Sequence, residues 1–228
     1  MNLSRTQLAR IIDHTLIRPN ATKDQVTMLC EEAKNYNFGC VCVNPVYVSL
    51  VVGLLRRSNV KVSSTVGFHY GSTLPEVKAF ESERILKNGA HEIDMVMNVG
   101  ALKSKEYEKV KKDIAAVTNL KQPFSGVVVK VIIEAGYLTD EEKIMACQLA
   151  KAAGADFVKT STGIIGGATV EDVRLMRKTV GRKMGVKAAG GIRTLRQVLA
   201  MIAAGANRIG TSTAVAIIEE TATEIDEK

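Results

Sequence analysis

The chain has 228 residues, 46% of them hydrophobic and 24% charged, which suits one soluble domain with a large core. Lys and Arg exceed Asp and Glu by 31 to 24, but the basic residues are interleaved with acids in stretches such as EYEKVKKD (106–113), and aromatic content is 4%. That pattern argues against a nucleic-acid surface and fits a small phosphorylated metabolite better.

The N-terminus MNLSRTQLAR lacks the apolar core of a secretory signal, and no apolar run is long enough to span a bilayer. A cytoplasmic protein without a membrane segment is expected. Cys30, Cys40, Cys42 and Cys147 form no CxxC pair, and His14, His69 and His91 lie far apart. Free, mostly buried thiols are therefore expected, with neither a disulfide framework nor a metal site.

In chain order the strand candidates are IIDHTLI (11–17), GCVCVN (39–44), VKVSSTVGF (60–68), EIDMVMN (92–98), GVVVKVIIEA (126–135), ADFVKTS (155–161), MGVKAAG (184–190) and ANRIGTS (206–212). Amphipathic helical stretches lie between them, among them LPEVKAFESERILKNG (74–89) and DEEKIMACQLAKAAG (140–154). Helix starts repeat one pattern, S/T-x-x-E/Q, at Ser4–Gln7, Thr22–Gln25, Thr73–Glu76, Thr139–Glu142 and Thr194–Gln197, with Thr169–Asp172 as a variant. In that capping box the hydroxyl and the Glu or Gln side chain each satisfy a free backbone N–H. Glycine then closes helices at Gly89, Gly154 and Gly205, as a left-handed cap demands.

The segments led by those glycines recur as well: GAHEID (89–94), GADFVK (154–159), GANRIG (205–210) and, more loosely, GCVCVN (39–44). If the strands are equivalent, Asp94, Lys159, Gly210 and Asn44 share one height. Eight strands alternating with helices predict an α/β TIM barrel, and several near-continuously apolar strands fit a parallel sheet covered on both faces. A doubly wound sheet is the alternative, but the GxGxxG turn it would usually carry is absent. No linker-like stretch divides the chain, so residues 1–220 are expected to form a single domain and TATEIDEK (221–228) a polar tail.

Active sites of such barrels lie at the C-terminal strand ends. The polar candidates there are Asp94, Lys130, Glu134, Lys159 and Lys187, with Asp13 near the middle of the first strand. Lys159 and Lys187 fall on successive strands, about 4.8 Å apart. Two ammonium groups that close repel, so one loses its proton more readily. A neutral lysine amine can attack a carbonyl and form a Schiff base, and Asp94 at the same level could relay protons through water. The same lysines could instead serve as ion-pair partners or anion contacts, and Lys130 is read that way. Gly190-Gly191 and Gly210-Thr211-Ser212 sit after strands seven and eight, the common phosphate position of the fold, and Gly163 offers a further contact.

The strings IDHTLI (12–17), EIDMVMNVG (92–100), KVIIEAG (130–136), VKTSTG (158–163), GGATVEDV (166–173) and VKAAGGIR (186–193) resemble those of the 2-deoxy-D-ribose-5-phosphate aldolase family over nearly the whole chain. The resemblance implies a class I aldolase with no metal and no cofactor. It would reversibly cleave deoxyribose 5-phosphate to glyceraldehyde 3-phosphate and acetaldehyde, in nucleoside catabolism, as a homodimer or homotetramer. It also implies Lys159 as the Schiff-base lysine, Lys187 as the lysine that tunes it, and Asp94 as the proton-relay carboxylate. Phosphate contacts are implied at Gly163, Gly190, Gly191, Gly210, Thr211 and Ser212.

Three departures from the family's pattern stand out. His69 and Tyr70 replace the usual proline and aliphatic residue, only Ile164-Ile165 separate TSTG from GGAT, and the chain ends Glu-Lys where some members have tyrosine. A shifted aldehyde preference is therefore one alternative, and a non-catalytic phosphosugar-binding barrel is another.

Overall fold

The computed structural model describes residues 3–226, with side chains described as far as residue 221. Eight parallel strands close into a barrel in chain order: β1 (Ile12–Leu16), β2 (Cys40–Val43), β3 (Lys61–Val66), β4 (Glu92–Val96), β5 (Val128–Ile132), β6 (Phe157–Lys159), β7 (Gly185–Ala189) and β8 (Arg208–Thr211). Around them run α1 (Arg5–Arg10), α2 (Lys23–Asn35), α3 (Val48–Leu55), α4 (Pro75–Lys87), α5 (Val99–Lys103), α6 (Tyr107–Thr118), α7 (Asp140–Ala152), α8 (Val170–Val180), α9 (Leu195–Ala204) and α10 (Ala214–Asp226). This is the predicted TIM barrel, with every strand inside its predicted window. Among the described residues no helix is long and apolar enough to cross a membrane. The backbone of α10 continues to Asp226, and the remainder of the predicted tail lies outside the described residues.

Outward-facing strand residues such as Val41, Val129, Val131, Val158, Val186 and Ile209 are fully buried beneath the helices. Each such side chain contributes roughly 1.5–3 kcal/mol. All four cysteines are free and buried, as expected.

Four of the five capping boxes form, at Ser4, Thr22, Thr139 and Thr194, and Thr169 caps α8 through the Asp172 N–H. The box expected at Thr73 does not form. Leu74 is the N-cap of α4 instead, extended at φ −71° and ψ 146°, and Pro75 opens the helix. The residue before a proline is pushed out of the helical region, and proline itself is suited to the first helical position. Thr139→Ala is therefore expected to cost about 1 kcal/mol, whereas Thr73→Ala should stay within about 0.5 kcal/mol of the parent. Urea denaturation would check both, and equal losses would contradict the assignment.

Gly89, Gly154 and Gly205 adopt φ of 96°, 81° and 113°. They end α4, α7 and α9 in the left-handed conformation, as read from the sequence.

The register decides what points inward. Following paired residues once around the barrel from Asp13 returns to β1 eight residues nearer the N-terminus. That stagger is the shear of a TIM barrel, whose interior stacks in layers of four side chains from alternate strands. Equal height therefore advances by one residue per strand relative to the register partner. The even strands set Cys42, Asp94, Lys159 and Gly210 in one layer. The odd strands set Asp13, Ser63, Lys130 and Lys187 in the layer below, and Cys40, Glu92, Phe157 and Arg208 lie lower still. Asp94, Lys159 and Gly210 do share a height, as the glycine-led repeat suggested. Asn44 does not: Cys42, two residues earlier, takes that place, and Asn44 begins the turn after β2, donating its amide to the Arg18 carbonyl at 3.1 Å.

Candidate active site

The usual filling of a barrel interior is branched and apolar. Here the three layers carry charge. Asp94 is fully buried and accepts from three lysines. Lys130 Nζ donates to Oδ1 at 2.7 Å, while Lys159 Nζ and Lys187 Nζ both donate to Oδ2, at 2.8 and 2.7 Å. Ser63 Oγ donates to Oδ1 at 3.1 Å. The two lysines read as a repelling pair are register partners on β6 and β7, and one carboxylate oxygen bridges them.

Beneath this centre the network continues to the base. Lys187 also donates to Asp13 Oδ2 at 2.5 Å, and Lys130 pairs with Glu92 Oε2 at 2.6 Å. Arg208 reaches up from β8, with Nε 2.8 Å from Asp13 Oδ1 and Nη2 3.1 Å from Glu92 Oε2. Asp13, Cys40 and Glu92 bring potential ligand atoms within 4.8 Å of one another, but the Arg208 guanidinium engages both carboxylates. Lys130 is thus the ion-pair partner expected of it. Arg208 and Glu92 were missed from the sequence. Their signal was parity: each lies two residues before an inward-facing position, Gly210 and Asp94.

Pairing overrides burial at Asp94, Asp13, Lys187 and Lys130. Burial alone would raise the Asp94 carboxyl, yet Lys130, Lys159 and Lys187 hold it well below the ordinary carboxylate range. Asp13 is lowered likewise, with Lys187 and Arg208 outweighing its burial. Burial opposes the charge of Lys187, but Asp13 and Asp94 hold its ammonium above the usual range, and Asp94 and Glu92 do the same for Lys130. Burial pushes the thiols of Cys40 and Cys42 up, so both remain uncharged.

Above the ionic layers opens a cavity of about 670 Å³. Lys159 lines it at the bottom, and around it stand Gly163, Gly190, Gly191, Gly210, Thr211 and Ser212, all the residues predicted for phosphate. Lys187 and Asp94 lie beneath the wall, fully buried. Of the three lysines around Asp94, only Lys159 therefore meets the cavity. Phe68 and Ile164 also line the cavity, whereas His69, Tyr70 and Ile165 are not among its lining residues.

Two glycines do different work at this mouth. Gly190, at φ 96°, lies so close to the loop after β6 that an added Cβ would sit 3.1 Å from the Gly166 carbonyl and 3.2 Å from the Gly163 Cα. Backbone is thereby brought together where an anion would be bound by N–H groups. At Gly210 a Cβ would sit 3.1 Å from Lys187 Cε, so this glycine leaves room for the lysine that reaches Asp94.

Glu134, buried after β5, accepts from the Thr162 N–H at 3.2 Å. Its own backbone is left-handed at φ 52°, a strained setting for a glutamate. The Ile133 and Ala135 N–H groups donate to the carbonyls of Lys159 and Thr160. The turn after β5 thus holds the segment from Lys159 to Thr162 at three points.

A family model described as DeoC/LacD family aldolase matches residues 8–219. A protein of Thermococcus kodakarensis named deoxyribose-phosphate aldolase is 60% identical over 220 residues, covering 95% of this chain and 98% of the relative. One of the same name from Halalkalibacterium halodurans is 57% identical over 213 residues, 92% of this chain and 94% of the relative. Among solved structures, a tetrameric deoxyribose phosphate aldolase from Aeropyrum pernix superposes with a TM-score of 0.90 at 37% identity, covering 97% of this chain and 93% of that one.

Proposed function

The chain belongs to the DeoC/LacD family of aldolases, and on that footing we propose that it reversibly cleaves 2-deoxy-D-ribose 5-phosphate to glyceraldehyde 3-phosphate and acetaldehyde through an imine on Lys159, without a metal. The observation that carries this reading is the position of Lys159 Nζ. It lies at the floor of the cavity, 2.8 Å from a buried carboxylate that also binds the Lys187 ammonium.

The uncharged Lys159 amine adds to the aldehyde carbon of the open-chain sugar. The carbonyl oxygen leaves as water, and a protonated imine remains. That iminium accepts the electron pair of the bond between sugar carbons two and three as the 3-hydroxyl proton departs. Glyceraldehyde 3-phosphate leaves, and the enamine is protonated at carbon two. Water then hydrolyses the imine, releasing acetaldehyde and restoring the amine. Asp94, whose oxygen touches both lysines, serves as the proton relay through water. Lys187 supplies a fixed positive charge beside the reacting nitrogen. The phosphate is taken by the glycine-bearing loops at Gly163, Gly190 and Gly191 and by the end of β8 at Gly210, Thr211 and Ser212. A cytoplasmic homo-oligomer is the assembly this reading carries, supported by the tetrameric relative.

The test is borohydride trapping with deoxyribose 5-phosphate in the presence of a chelator, followed by peptide mapping. One stoichiometric adduct on Lys159 is expected. Binding without any adduct would instead support a phosphosugar-binding barrel.

A further inference from the structure

Among the described residues, one ion-pair network inside the barrel joins four cationic side chains, Lys130, Lys159, Lys187 and Arg208, to three carboxylates, Asp13, Glu92 and Asp94. Arg208 stands at the root of both arms of the network. One arm runs through Asp13 and Lys187 to Asp94, the other through Glu92 and Lys130 to the same carboxylate. A guanidinium does not give up its proton in a protein. Lys187 and Lys130 each hold two carboxylates, whereas Lys159 holds one and borders the cavity.

We propose that Arg208 is a positioning residue of the aldol reaction: its permanent charge at the base of the barrel leaves the interior one cation in surplus, and Lys159 relieves that surplus by giving up its proton. Without Arg208 the interior would balance with all three lysines charged, and a charged amine cannot add to a carbonyl. With it, balance is reached when one amine is neutral, and the cavity-facing amine is the one a proton can leave. The other groups facing Lys159 and its network are Asp13 on β1, the uncharged thiols of Cys40 and Cys42 on β2, Ser63 and Thr65 on β3, Glu92 and Asp94 on β4, Lys130 on β5 and Lys187 on β7. Across the cavity stand His14, Arg18, Glu32 and Arg193, and Glu134, buried in the turn after β5, accepts from the Thr162 N–H. The inference rests on the imine reading of Lys159.

The test measures the rate of borohydride-trapped imine formation against pH. In Arg208→Met the midpoint of the rising limb is expected to move up by about one pH unit, because an interior cation is gone. In Glu92→Gln it is expected to move down by a similar amount, because an anion is gone. Arg208→Lys should keep the parent midpoint, and the double variant Arg208→Met/Glu92→Gln should return toward it. A residue that merely supports the fold would lower the rate in both single variants without opposite displacements. Midpoints that stay with the parent, or move in the same direction, overturn the proposal. If Arg208→Met does not fold, Glu92→Gln decides, and an unmoved or raised midpoint sinks the idea. A parent enzyme that forms no adduct at all would overturn the functional reading instead, a result distinguishable from unmoved midpoints.

Discussion

Lys159→Ala is expected to lower cleavage of deoxyribose 5-phosphate by roughly 10⁴-fold or more and to abolish borohydride trapping. Three lysines surround Asp94, but Lys130 and Lys187 are fully buried below the cavity and cannot reach a substrate carbonyl. No neighbouring amine therefore substitutes. Lys159→Arg should be as inactive, because a guanidinium keeps its charge and is not a nucleophile. The loss should be chemical and not structural. Removing Lys159 leaves three cations facing three carboxylates, and Asp94 retains Lys130, Lys187 and Ser63. Thermal unfolding followed alongside turnover separates the two effects. Turnover within tenfold of the parent would remove Lys159 from the mechanism.

Asp94→Asn is expected to lower turnover by about 10²–10⁴-fold, the range of a lost acid–base group. The fold is also expected to weaken. Asn carries no charge, so Lys130, Lys159 and Lys187 would face one another around a neutral side chain, and breaking a buried ion pair costs about 3–5 kcal/mol. A relay role alone would leave Asp94→Asn slow but well folded. The three-lysine geometry adds the stability loss. Denaturant midpoints and single-turnover rates measure the two parts separately. A variant of parental stability would contradict the network, and one of parental rate would remove Asp94 from the chemistry.

Several features were legible in the chain because they are local. The eight strands carry their own β-favouring runs, the hydroxyl caps need only a residue three positions on, and the left-handed glycines lie one or two residues past their helices. Where a second local rule intervened, as Pro75 did beside Thr73, the stronger steric constraint moved the helix start. The shared height of Asp94 and Lys159 was legible too, since the repeat after each terminal glycine is itself local, and Lys187 was legible as a lysine on the next strand. Asn44 was misplaced by the same reasoning, because its segment begins at a different point relative to its strand.

The sequence by itself determined the alternation of strands and helices, the barrel, and which side chains sit near the strand ends. The tertiary structure decided how those side chains combine. Closing the barrel staggers it by eight residues, so residues level in the interior are not aligned in any local pattern. Arg208 meets Asp13 across 195 positions of chain, and Lys187 meets the same carboxylate across 174. Contacts at such separations are set by strand register and tilt around the whole barrel. Local periodicity shows that a strand residue faces inward, but only closure of the sheet shows which charges it faces there.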